Sequence, residues 1–258
     1  MNDVTGRFLL RGKVAVVTGS SGGLGEGFAA ALAAAGAHTV LVARRERELR
    51  RVRDLIAAAG GQATAVTADI SDPAAADRII DAAGTLGGAD ILVNNAGLNY
   101  TVPAKDDDPA RFMSVVETNL LGAYRLSTAC CRSMIARHVP GSIINVTSIF
   151  GLTATEIPAA AYSASKSALT GLTRELAMQW SGRYGIRVNA LAPGFIPTGL
   201  TAEVAEGTAG HEKVRARIPM RRFGTVDELI GPLLLLASDA GSYITGATLA
   251  VDGGWTLH

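Results

Sequence analysis

The chain has 258 residues, of which 48% are hydrophobic and 18% charged, with a formal net charge of +1 at pH 7. This length is enough for one α/β domain with a large core, and the balanced charge does not indicate binding to nucleic acid or to an anionic membrane. No apolar run is long enough to span a bilayer, and the charged stretch from Met1 to Arg11 is unlike a signal peptide.

Short β-branched runs alternate with longer alanine-rich segments along the chain. The runs predict strands buried on both faces at Val14–Val17, Thr39–Val42, Ala63–Thr67, Ile91–Asn94, Ser142–Val146, Arg187–Leu191 and Thr248–Val251. The longer segments predict helices that include Phe28–Ala35, Glu46–Ala59, Arg111–Ala136, Ala164–Trp180 and Val226–Ala237. This alternation predicts an α/β fold with right-handed crossovers, a doubly wound parallel sheet of about seven strands, and helices on both faces.

A glycine-rich turn follows the first predicted strand and precedes the first predicted helix. Its glycines, Gly19, Gly23 and Gly25, have the spacing TGxxxGxG. Residues without a Cβ let the backbone approach a diphosphate, and the amides at the helix start face the anion. We expect this turn, with Ser21 and Leu24, to bind a dinucleotide; an ordinary tight turn without a ligand is the alternative.

The end of the second predicted strand indicates which dinucleotide is bound. A carboxylate about 20 residues after the glycine turn would bind the ribose hydroxyls of NAD, but Arg44 and Arg45 stand here. A guanidinium forms two parallel charge-assisted hydrogen bonds with a phosphate, so Arg44 above all predicts NADP(H), with NAD(H) as the other possibility. The alternative is a solvated helix face, which we expect for the other basic and acidic residues of this helix: Arg47, Arg50, Arg51, Arg53, Glu46, Glu48 and Asp54.

The third and fourth predicted strands end in residues that suit an adenosine. Asp69, followed by Ile70, comes after the third strand, where its carboxylate can accept a hydrogen bond from the adenine amino group. Asn95, Ala96 and Gly97 follow the fourth strand and leave room for adenosine and ribose. For this second segment, an ordinary strand-ending turn is an equal alternative.

A tyrosine and a lysine stand four residues apart at the start of a predicted helix. In Tyr162-Ser-Ala-Ser-Lys166 this spacing puts both side chains on one helix face. A free phenol has a pKa of about 10, too high for proton exchange at neutral pH, and a nearby ammonium would lower that pKa. Ser148 ends the preceding strand, so its hydroxyl is expected in the same cleft, where it can hold a carbonyl oxygen while the phenol protonates it.

These motifs together resemble the classical short-chain dehydrogenase/reductase family over the whole chain. The matching pieces are Thr18-Gly-x-x-x-Gly-x-Gly25, Asn94-Asn-Ala-Gly97, Asn119 in Glu-Thr-Asn-Leu, Ser148, Tyr162-x-x-x-Lys166, and Pro193-Gly194 followed by Thr198. The resemblance implies a single Rossmann-type domain, residues 1–258, that binds the cofactor and catalyses the reaction.

The resemblance also implies a role for each matching residue. Tyr162 would be the acid/base and Ser148 would orient the substrate. Lys166 would hold the nicotinamide ribose and lower the tyrosine pKa, and Asn119 would support a water relay from the lysine to solvent. The nicotinamide end would be bound by Pro193, Gly194, Ile196 and Thr198.

Three departures from the family pattern bear on these expectations. Gly22 occupies a position that is often basic in NADP-binding members, which leaves Arg44 to carry more of the preference. Ser148 and Tyr162 are 14 positions apart, a slightly wider spacing than the resemblance implies. Pro197 stands between the positions expected to contact the nicotinamide.

The segment from Pro193 to Pro219 is too long for an ordinary connection. We expect a substrate lid at about residues 194–218, mobile without ligand, that closes over the substrate and excludes water. The alternatives are a disordered insert and a permanently packed substrate wall with a helix of its own.

The predicted function is hydride transfer between a nicotinamide cofactor and a carbonyl or secondary alcohol, with a sugar acid or a 3-oxoacyl compound as possible substrates. A non-catalytic dinucleotide sensor on the same fold is the alternative, although it would have no need of Ser148, Tyr162 and Lys166. The adjacent Cys130 and Cys131 and four scattered histidines predict a reducing cytoplasm and no metal site. The high apolar content, and a tail at Asp252–Trp255 that resembles a family subunit contact, predict a homotetramer.

Overall fold

Runs of valine, isoleucine, leucine and alanine form the strands at the centre of the molecule, because these side chains pack well on a sheet that is covered on both faces. The computed structural model describes residues 3–199 and 209–257. Within them the strands are β1 (Val14–Thr18), β2 (His38–Ala43), β3 (Gln62–Thr67), β4 (Ile91–Asn94), β5 (Gly141–Val146), β6 (Ile186–Pro193) and β7 (Thr248–Val251). Neighbouring strands are parallel, in the order β3-β2-β1-β4-β5-β6-β7, which confirms the predicted sheet.

Helices cover both faces of this sheet, as predicted. They are α1 (Gly23–Ala34), α2 (Glu46–Ala58), α3 (Ala75–Gly84), α4 (Pro109–Val116), α5 (Ala123–Ala136), α6 (Ala160–Tyr184), α7 (Ala209–Arg217) and α8 (Asp227–Ala237). One face packs against α1, α2 and α8, which bury Phe28 and Leu233 there. The other packs against α3, α5 and α6, which bury Ile79 and Leu126.

The edge strands differ from the prediction that every strand is buried on both faces. β3 and β7 lie at the two ends of the strand order, and their residues are half-buried or exposed. An edge strand has a neighbour on one side only, so its side chains are less completely covered. The five inner strands are almost entirely buried.

The helix predicted over Arg111–Ala136 is interrupted. A π-helical segment, Glu117–Gly122, separates α4 from α5. Such segments insert extra backbone into a helix and are frequent at functional sites. In the part of the chain that the structure describes, no helix combines the length and the apolar character needed to cross a membrane.

The strand order fixes where a ligand can bind. The chain turns back between β1 and β4, which are neighbours although β2 and β3 lie between them in sequence. In open α/β sheets, ligands bind in the crevice outside the carboxyl ends of the strands at such a reversal. The glycine turn after β1 and the segment after β4 meet at this point.

Candidate active site

A cavity of about 640 Å³ lies along the carboxyl edge of the sheet. It extends from Arg44 and Asp69, which follow β2 and β3, to Ser148 and Tyr162, which follow β5. Its volume is that of a typical pocket for a small molecule or cofactor. Most of the residues expected to bind a cofactor line it, namely Gly19, Ser21, Gly23, Leu24, Arg44, Arg45, Asp69, Ile70, Asn95, Ala96, Gly97, Tyr162, Lys166, Pro193, Gly194, Ile196 and Thr198.

The glycine turn needs its glycines for two separate reasons. Gly19 has a φ of +68°, and a Cβ on it would lie 2.8 Å from Cα of Ala96. Gly25 has an ordinary φ but no space, since a Cβ there would overlap the carbonyl oxygen of Gly19. Gly25 does not line the cavity, so its role is to let the start of α1 pack against the turn. The turn thus leaves an open cradle of backbone at the start of a helix, which fits the diphosphate of a dinucleotide.

The segment after β4 is bound to the glycine turn by hydrogen bonds. The Thr18 hydroxyl accepts from the amides of Asn95 and Ala96, both at 3.0 Å. The Asn95 side chain donates to the carbonyl oxygen of Thr18 at 2.9 Å. This is more than an ordinary strand-ending turn, because it sets the position of one cavity wall relative to the other.

Arg44 and Arg45 lie in different places at the end of β2. Arg45 reaches the glycine turn, where its Nη2 donates to Oγ of Ser21 at 3.0 Å. Arg44 points to the end of β3, with Nη1 3.7 Å from Oδ2 of Asp69. Both guanidinium groups therefore flank the same end of the cavity, and sequence reasoning that favoured Arg44 undervalued Arg45.

The other arginines of α2 form the solvated face that the sequence predicts. Arg50 pairs with Glu46 at 2.5 Å, Arg53 with Asp54 at 2.8 Å, and Arg47 with Glu48 at 3.4 Å. Arg51 pairs with Glu48 and also with Glu26 of α1.

The carboxylate of Asp69 is already engaged. Its Oδ1 accepts from the amide and hydroxyl of Ser71, at 3.0 and 2.8 Å. Burial acts to raise the pKa of Asp69, but the Ser71 hydrogen bonds and the charge of Arg44 outweigh it and hold this pKa below its ordinary value. Asp69 thus stays ionised and has Oδ2 left for Arg44 or for a ligand.

Ser148 and Tyr162 lie together at the other end of the cavity, one after β5 and one in the first turn of α6. The Tyr162 ring packs edge-on against Phe150, with 5.7 Å between ring centroids. Burial raises the pKa of Tyr162, and its hydrogen-bonding interaction with the Ser148 hydroxyl lowers this pKa by a smaller amount. The expectation of a lowered tyrosine pKa is therefore wrong for the protein alone, because desolvation of the phenolate dominates.

Lys166 is almost fully enclosed one turn further along α6. Its side chain is 4% exposed, and Nζ donates to the carbonyl oxygen of Val146 at 2.7 Å. Burial lowers the pKa of Lys166 to about 8. Nζ lies 5.6 Å from the centre of the Tyr162 ring, so the two groups share one helix face as the spacing predicted.

Asn119 lies in the π-helical segment and does not line the cavity. Its Oδ1 accepts from the amide of Leu98 at 2.7 Å, and its Nδ2 donates to Oγ of Ser165 at 3.0 Å. A Cβ placed on Gly97 would lie 3.3 Å from Oδ1 of Asn119 and 3.6 Å from Nζ of Lys166. The missing side chain of Gly97 thus keeps open the space between Asn119 and Lys166.

The segment after β6 is partly described. Pro193, Gly194, Ile196 and Thr198 line the cavity, and residues 200–208 of the expected lid lie outside the described residues. The described remainder includes α7, whose Val214, with Ile218 just beyond the helix, is buried beside Phe195 and Trp255. An ion pair between Lys213 and Glu156 connects α7 to the loop before α6. These contacts favour the packed wall for residues 209–218.

Trp255, in the tail expected to form a subunit contact, packs within its own chain. Its ring is 3% exposed within its own chain, 4.9 Å from the Phe195 ring, and the Arg217 guanidinium lies 4.4 Å above it. Large aromatic side chains gain most by burial, and α7 supplies that burial here.

Sequence reasoning missed several residues beside Tyr162. The cavity wall there includes Leu98, Asn99, Phe150 and Phe195, which lie beside Ile157, a residue that the sequence did place between Ser148 and Tyr162. Most of these follow residues that the motifs had identified: Leu98 and Asn99 come directly after Gly97, and Phe150 is two residues after Ser148. Their positions just after the strand ends could have identified them as cavity residues.

Comparisons with known proteins agree with this geometry. A family model described as enoyl-(acyl carrier protein) reductase matches residues 19–256. Among curated proteins, the chain is 40% identical over 252 residues to galactitol 2-dehydrogenase (L-tagatose-forming) of Cereibacter sphaeroides, covering 97% of each chain. It is 39% identical over 251 residues to 2-dehydro-3-deoxy-D-gluconate 5-dehydrogenase of Bacillus subtilis strain 168, covering 96% of each.

A solved structure is also similar. It is a gluconate 5-dehydrogenase from Burkholderia cenocepacia J2315 in complex with NADP and tartrate, with a TM-score of 0.92, 36% identity and 98% of each chain covered. These relatives are dehydrogenases, so the comparisons give no support to the alternative of a non-catalytic sensor. The chain belongs to the classical short-chain dehydrogenase/reductase family and is a nicotinamide-dependent oxidoreductase that acts on a carbonyl or secondary alcohol.

Proposed function

We propose that this enzyme transfers hydride between NADP(H) and a secondary alcohol or ketone of a sugar-like substrate, with Tyr162 as its acid/base. The observation that carries the proposal is one cavity with two guanidinium groups, of Arg44 and Arg45, at one end and the Ser148–Tyr162–Lys166 group at the other. The first pair suits the phosphates of a dinucleotide, and the second suits proton transfer to oxygen.

Each residue of the second group has a proposed task. In the reductive direction, the Tyr162 hydroxyl donates its proton to the carbonyl oxygen, and the Ser148 hydroxyl donates a hydrogen bond to the same oxygen as negative charge develops. A bound nicotinamide supplies or accepts the hydride. Lys166 holds the nicotinamide ribose, and its ammonium stabilises the phenolate that remains after proton transfer.

Asn119 is proposed to complete the route by which Tyr162 is reprotonated. The space that Gly97 leaves between Asn119 and Lys166 is polar on both sides, as a bridging water requires. The paired hydrogen bonds of Asn119 with the backbone of Leu98 fix its amide in this position. Asn119 therefore acts as a positioning residue that does not touch the substrate.

The preference for NADP(H) rests on the charge at the adenosine end. Arg45 hydrogen-bonds Ser21 of the glycine turn and Arg44 is 3.7 Å from Asp69, so a 2′-phosphate between them would meet two cations. A guanidinium pair favours such a dianion over a bare ribose hydroxyl. The proposed adenosine and diphosphate contacts also include Gly19, Ser21, Gly23, Leu24, Asp69, Ile70, Asn95, Ala96 and Gly97.

The comparisons support a sugar-like substrate, because the two relatives and the solved structure named above act on galactitol, on 2-dehydro-3-deoxy-D-gluconate and on gluconate. The test is a panel of alditols, aldonates, cyclic alcohols and 3-oxoacyl thioesters, with NADPH and NADH absorbance as the readout. Turnover of a sugar-like alcohol with NADP⁺ in preference to NAD⁺ supports the proposal. Turnover of no panel member, or equal efficiency with NAD⁺, contradicts it.

Three further features complete the proposal. The chain works as one unit, residues 1–258, with residues 194–218 forming the lid over the substrate. It assembles as a homotetramer, which the exposed Met113, Tyr124 and Met178 on helices α4, α5 and α6 support. We place the protein in the cytoplasm, because the free thiols of Cys130 and Cys131 suit a reducing compartment. Cell fractionation tests this.

A further inference from the structure

Phe150 contacts both side chains that carry the proposed proton chemistry, although it belongs to none of the sequence motifs. Its ring packs edge-on against the Tyr162 ring, with 5.7 Å between the ring centroids and 74° between the ring planes. Its backbone amide donates to Oγ of Ser148 at 3.2 Å. All three residues line the same cavity, so Phe150 lies beside the reacting groups and not behind them.

The amide of Phe150 orients the Ser148 hydroxyl. A hydroxyl has one O–H donor and two acceptor lone pairs. Because Oγ of Ser148 accepts from this amide, one lone pair is directed into the protein backbone. The O–H group is then well placed to donate to an oxygen in the cavity, as the proposed role of Ser148 requires.

The turn that carries Phe150 rests on α6, the helix that carries Tyr162. A Cβ placed on Gly151, the next residue, would lie 2.8 Å from the carbonyl carbon of Lys166. The Ser167 hydroxyl donates to the carbonyl oxygen of Gly151 at 3.1 Å. The turn therefore lies directly on the helix backbone, and this contact fixes the Phe150 ring relative to the Tyr162 side chain.

The Phe150 ring is itself supported by two further aromatic side chains. The Phe195 ring lies 6.1 Å from it at an interplanar angle of 65°, and the Trp255 ring lies 4.9 Å from Phe195. Phe195 and Trp255 are 5% and 3% exposed, so both are firmly packed. Edge-to-face aromatic pairs attract each other by more than their buried area explains. Tyr162 thus leans on a supported ring.

We propose that Phe150 is a positioning residue of the reaction, which directs the Tyr162 phenol and the Ser148 hydroxyl toward one substrate oxygen. This inference rests on the proposed role of Tyr162 as the acid/base and adds a residue that acts through it. A tyrosine side chain can rotate about two bonds, and the edge-on Phe150 ring limits that rotation. A displacement of about 1 Å in a reacting group can cost about a hundredfold in rate, so the ring acts on the chemical step.

The first test is Phe150→Leu, which removes the ring and keeps an apolar side chain. With NADPH and the ketone that corresponds to the best alcohol of the substrate panel, we expect the single-turnover rate at saturating ketone to fall about tenfold. The KM of the ketone and the Kd of NADPH should stay within about twofold. A raised KM at an unchanged rate would mean that Phe150 only binds substrate, and it overturns the inference.

Phe150→Met also lacks the ring, and it should show the same loss. This variant carries the comparison if Phe150→Leu does not fold, because methionine fills irregular space in a packed region well.

Phe223→Leu is the matched control for these variants. Phe223 and Phe150 are both partly buried against the same cluster, and the Phe223 ring lies 5.8 Å from that of Phe195. Phe223 does not line the cavity, so the single-turnover rate of Phe223→Leu should stay within about twofold of the wild-type rate. An equal loss in Phe223→Leu and Phe150→Leu would mean that any damage to the aromatic cluster slows the reaction, and it overturns the inference.

The decisive experiment is a double-mutant cycle of Phe150→Leu with Tyr162→Phe. If Phe150 acts through the Tyr162 hydroxyl, Phe150→Leu should cost about twofold or less once that hydroxyl is removed, against about tenfold when it is present. The same tenfold loss in both backgrounds overturns the inference and leaves the proposed function standing. A wild-type rate in Tyr162→Phe alone overturns the proposed function and the inference with it.

Discussion

Burial is what gives Lys166 its unusual chemistry. The side chain is enclosed by α6 and the end of β5, and burial lowers its pKa from 10.5 to about 8. An ammonium with this pKa is still mostly charged at pH 7, but keeping it charged in a buried site is unfavourable. At neutral pH, Lys166 therefore lowers the free energy of unfolding of the protein without cofactor.

The burial of Lys166 predicts how the free energy of unfolding changes with pH. Between pH 8 and pH 10.5 the unfolded chain keeps a proton on Lys166 that the folded chain has lost, so the free energy of unfolding gains a contribution that rises with pH over this window. Urea unfolding without cofactor should show that the stability of wild type relative to Lys166→Met improves from pH 7 to pH 10. A difference that does not change with pH would contradict the burial argument.

Arg44 and Arg45 make separable predictions about the cofactor. Arg44→Ala and Arg45→Ala should each weaken NADPH binding by about 1.5–3 kcal/mol, the range for a hydrogen bond to a charged group. NADH binding should change little, because NADH has no 2′-phosphate for these side chains to bind. Fluorescence titration of both cofactors measures the difference.

Arg53→Ala is the matched control for these two variants. Arg53 lies in α2, the helix that directly follows Arg44 and Arg45. It pairs with Asp54 and does not line the cavity. NADPH affinity should be unchanged in this variant. A uniform loss with both NADPH and NADH in all three variants would show general destabilisation and would contradict a specific phosphate contact.

Among the elements, α7 connects the substrate end to the carboxyl-terminal tail. Val214 and Ile218 pack beside Phe195 and Trp255, and Lys213 pairs with Glu156. These contacts hold α7 in place, but each of them joins α7 to a loop or to the carboxyl-terminal tail and not to a core strand. Since loops open more easily than core strands, α7 is suited to respond to ligands.

We predict that amide exchange in α7 slows when NADP⁺ and a substrate analogue bind together. The physical reason is that an occupied cavity supports Phe195, beside which Val214 of α7 is buried. Hydrogen exchange measured by mass spectrometry tests this, with α3, on the far face of the sheet, as the internal control. Equal protection of α7 with and without ligands would make it a fixed wall and would remove its gating role.

The elements differ in how well they could be predicted from the sequence. Periodicity and turn residues predicted the inner strands and the glycine turn, because these depend on local preferences and burial. The π-helical interruption at Glu117–Gly122 does not show in the sequence periodicity, and the hydrogen bonds that Asn119 makes there join it to Leu98 and Ser165, which are distant in sequence. The seating of Trp255 against α7 depends in the same way on contacts between distant parts of the chain.

At the scale of the whole molecule, the sheet order explains why the candidate site was largely predictable. Parallel strands present all their carboxyl ends at one edge, so residues after β1, β2, β4, β5 and β6 had to meet. The identity of those residues then gave the chemistry. Two things did not follow from topology: the direction in which Arg44 and Arg45 point, and the balance between burial and charge at Tyr162.

The molecule as a whole is predicted to be a tetramer. Met178 is 83% exposed and Met113 is 53% exposed, and burial of such side chains is a common driving force for closed symmetric assemblies. Light scattering at micromolar concentration should give four times the mass of one chain, and Met178→Glu should lower that mass. A monomeric mass for the wild type would contradict the assembly.

The central claim is that the Tyr162 hydroxyl transfers the proton that accompanies hydride transfer. Tyr162→Phe keeps the ring and its contact with Phe150 and removes only that hydroxyl. With the ketone that corresponds to the best alcohol of the substrate panel, single-turnover oxidation of NADPH should slow by about 10²-fold or more, while the Kd of NADPH stays within about twofold. Hydride transfer at the wild-type rate in Tyr162→Phe would contradict the account.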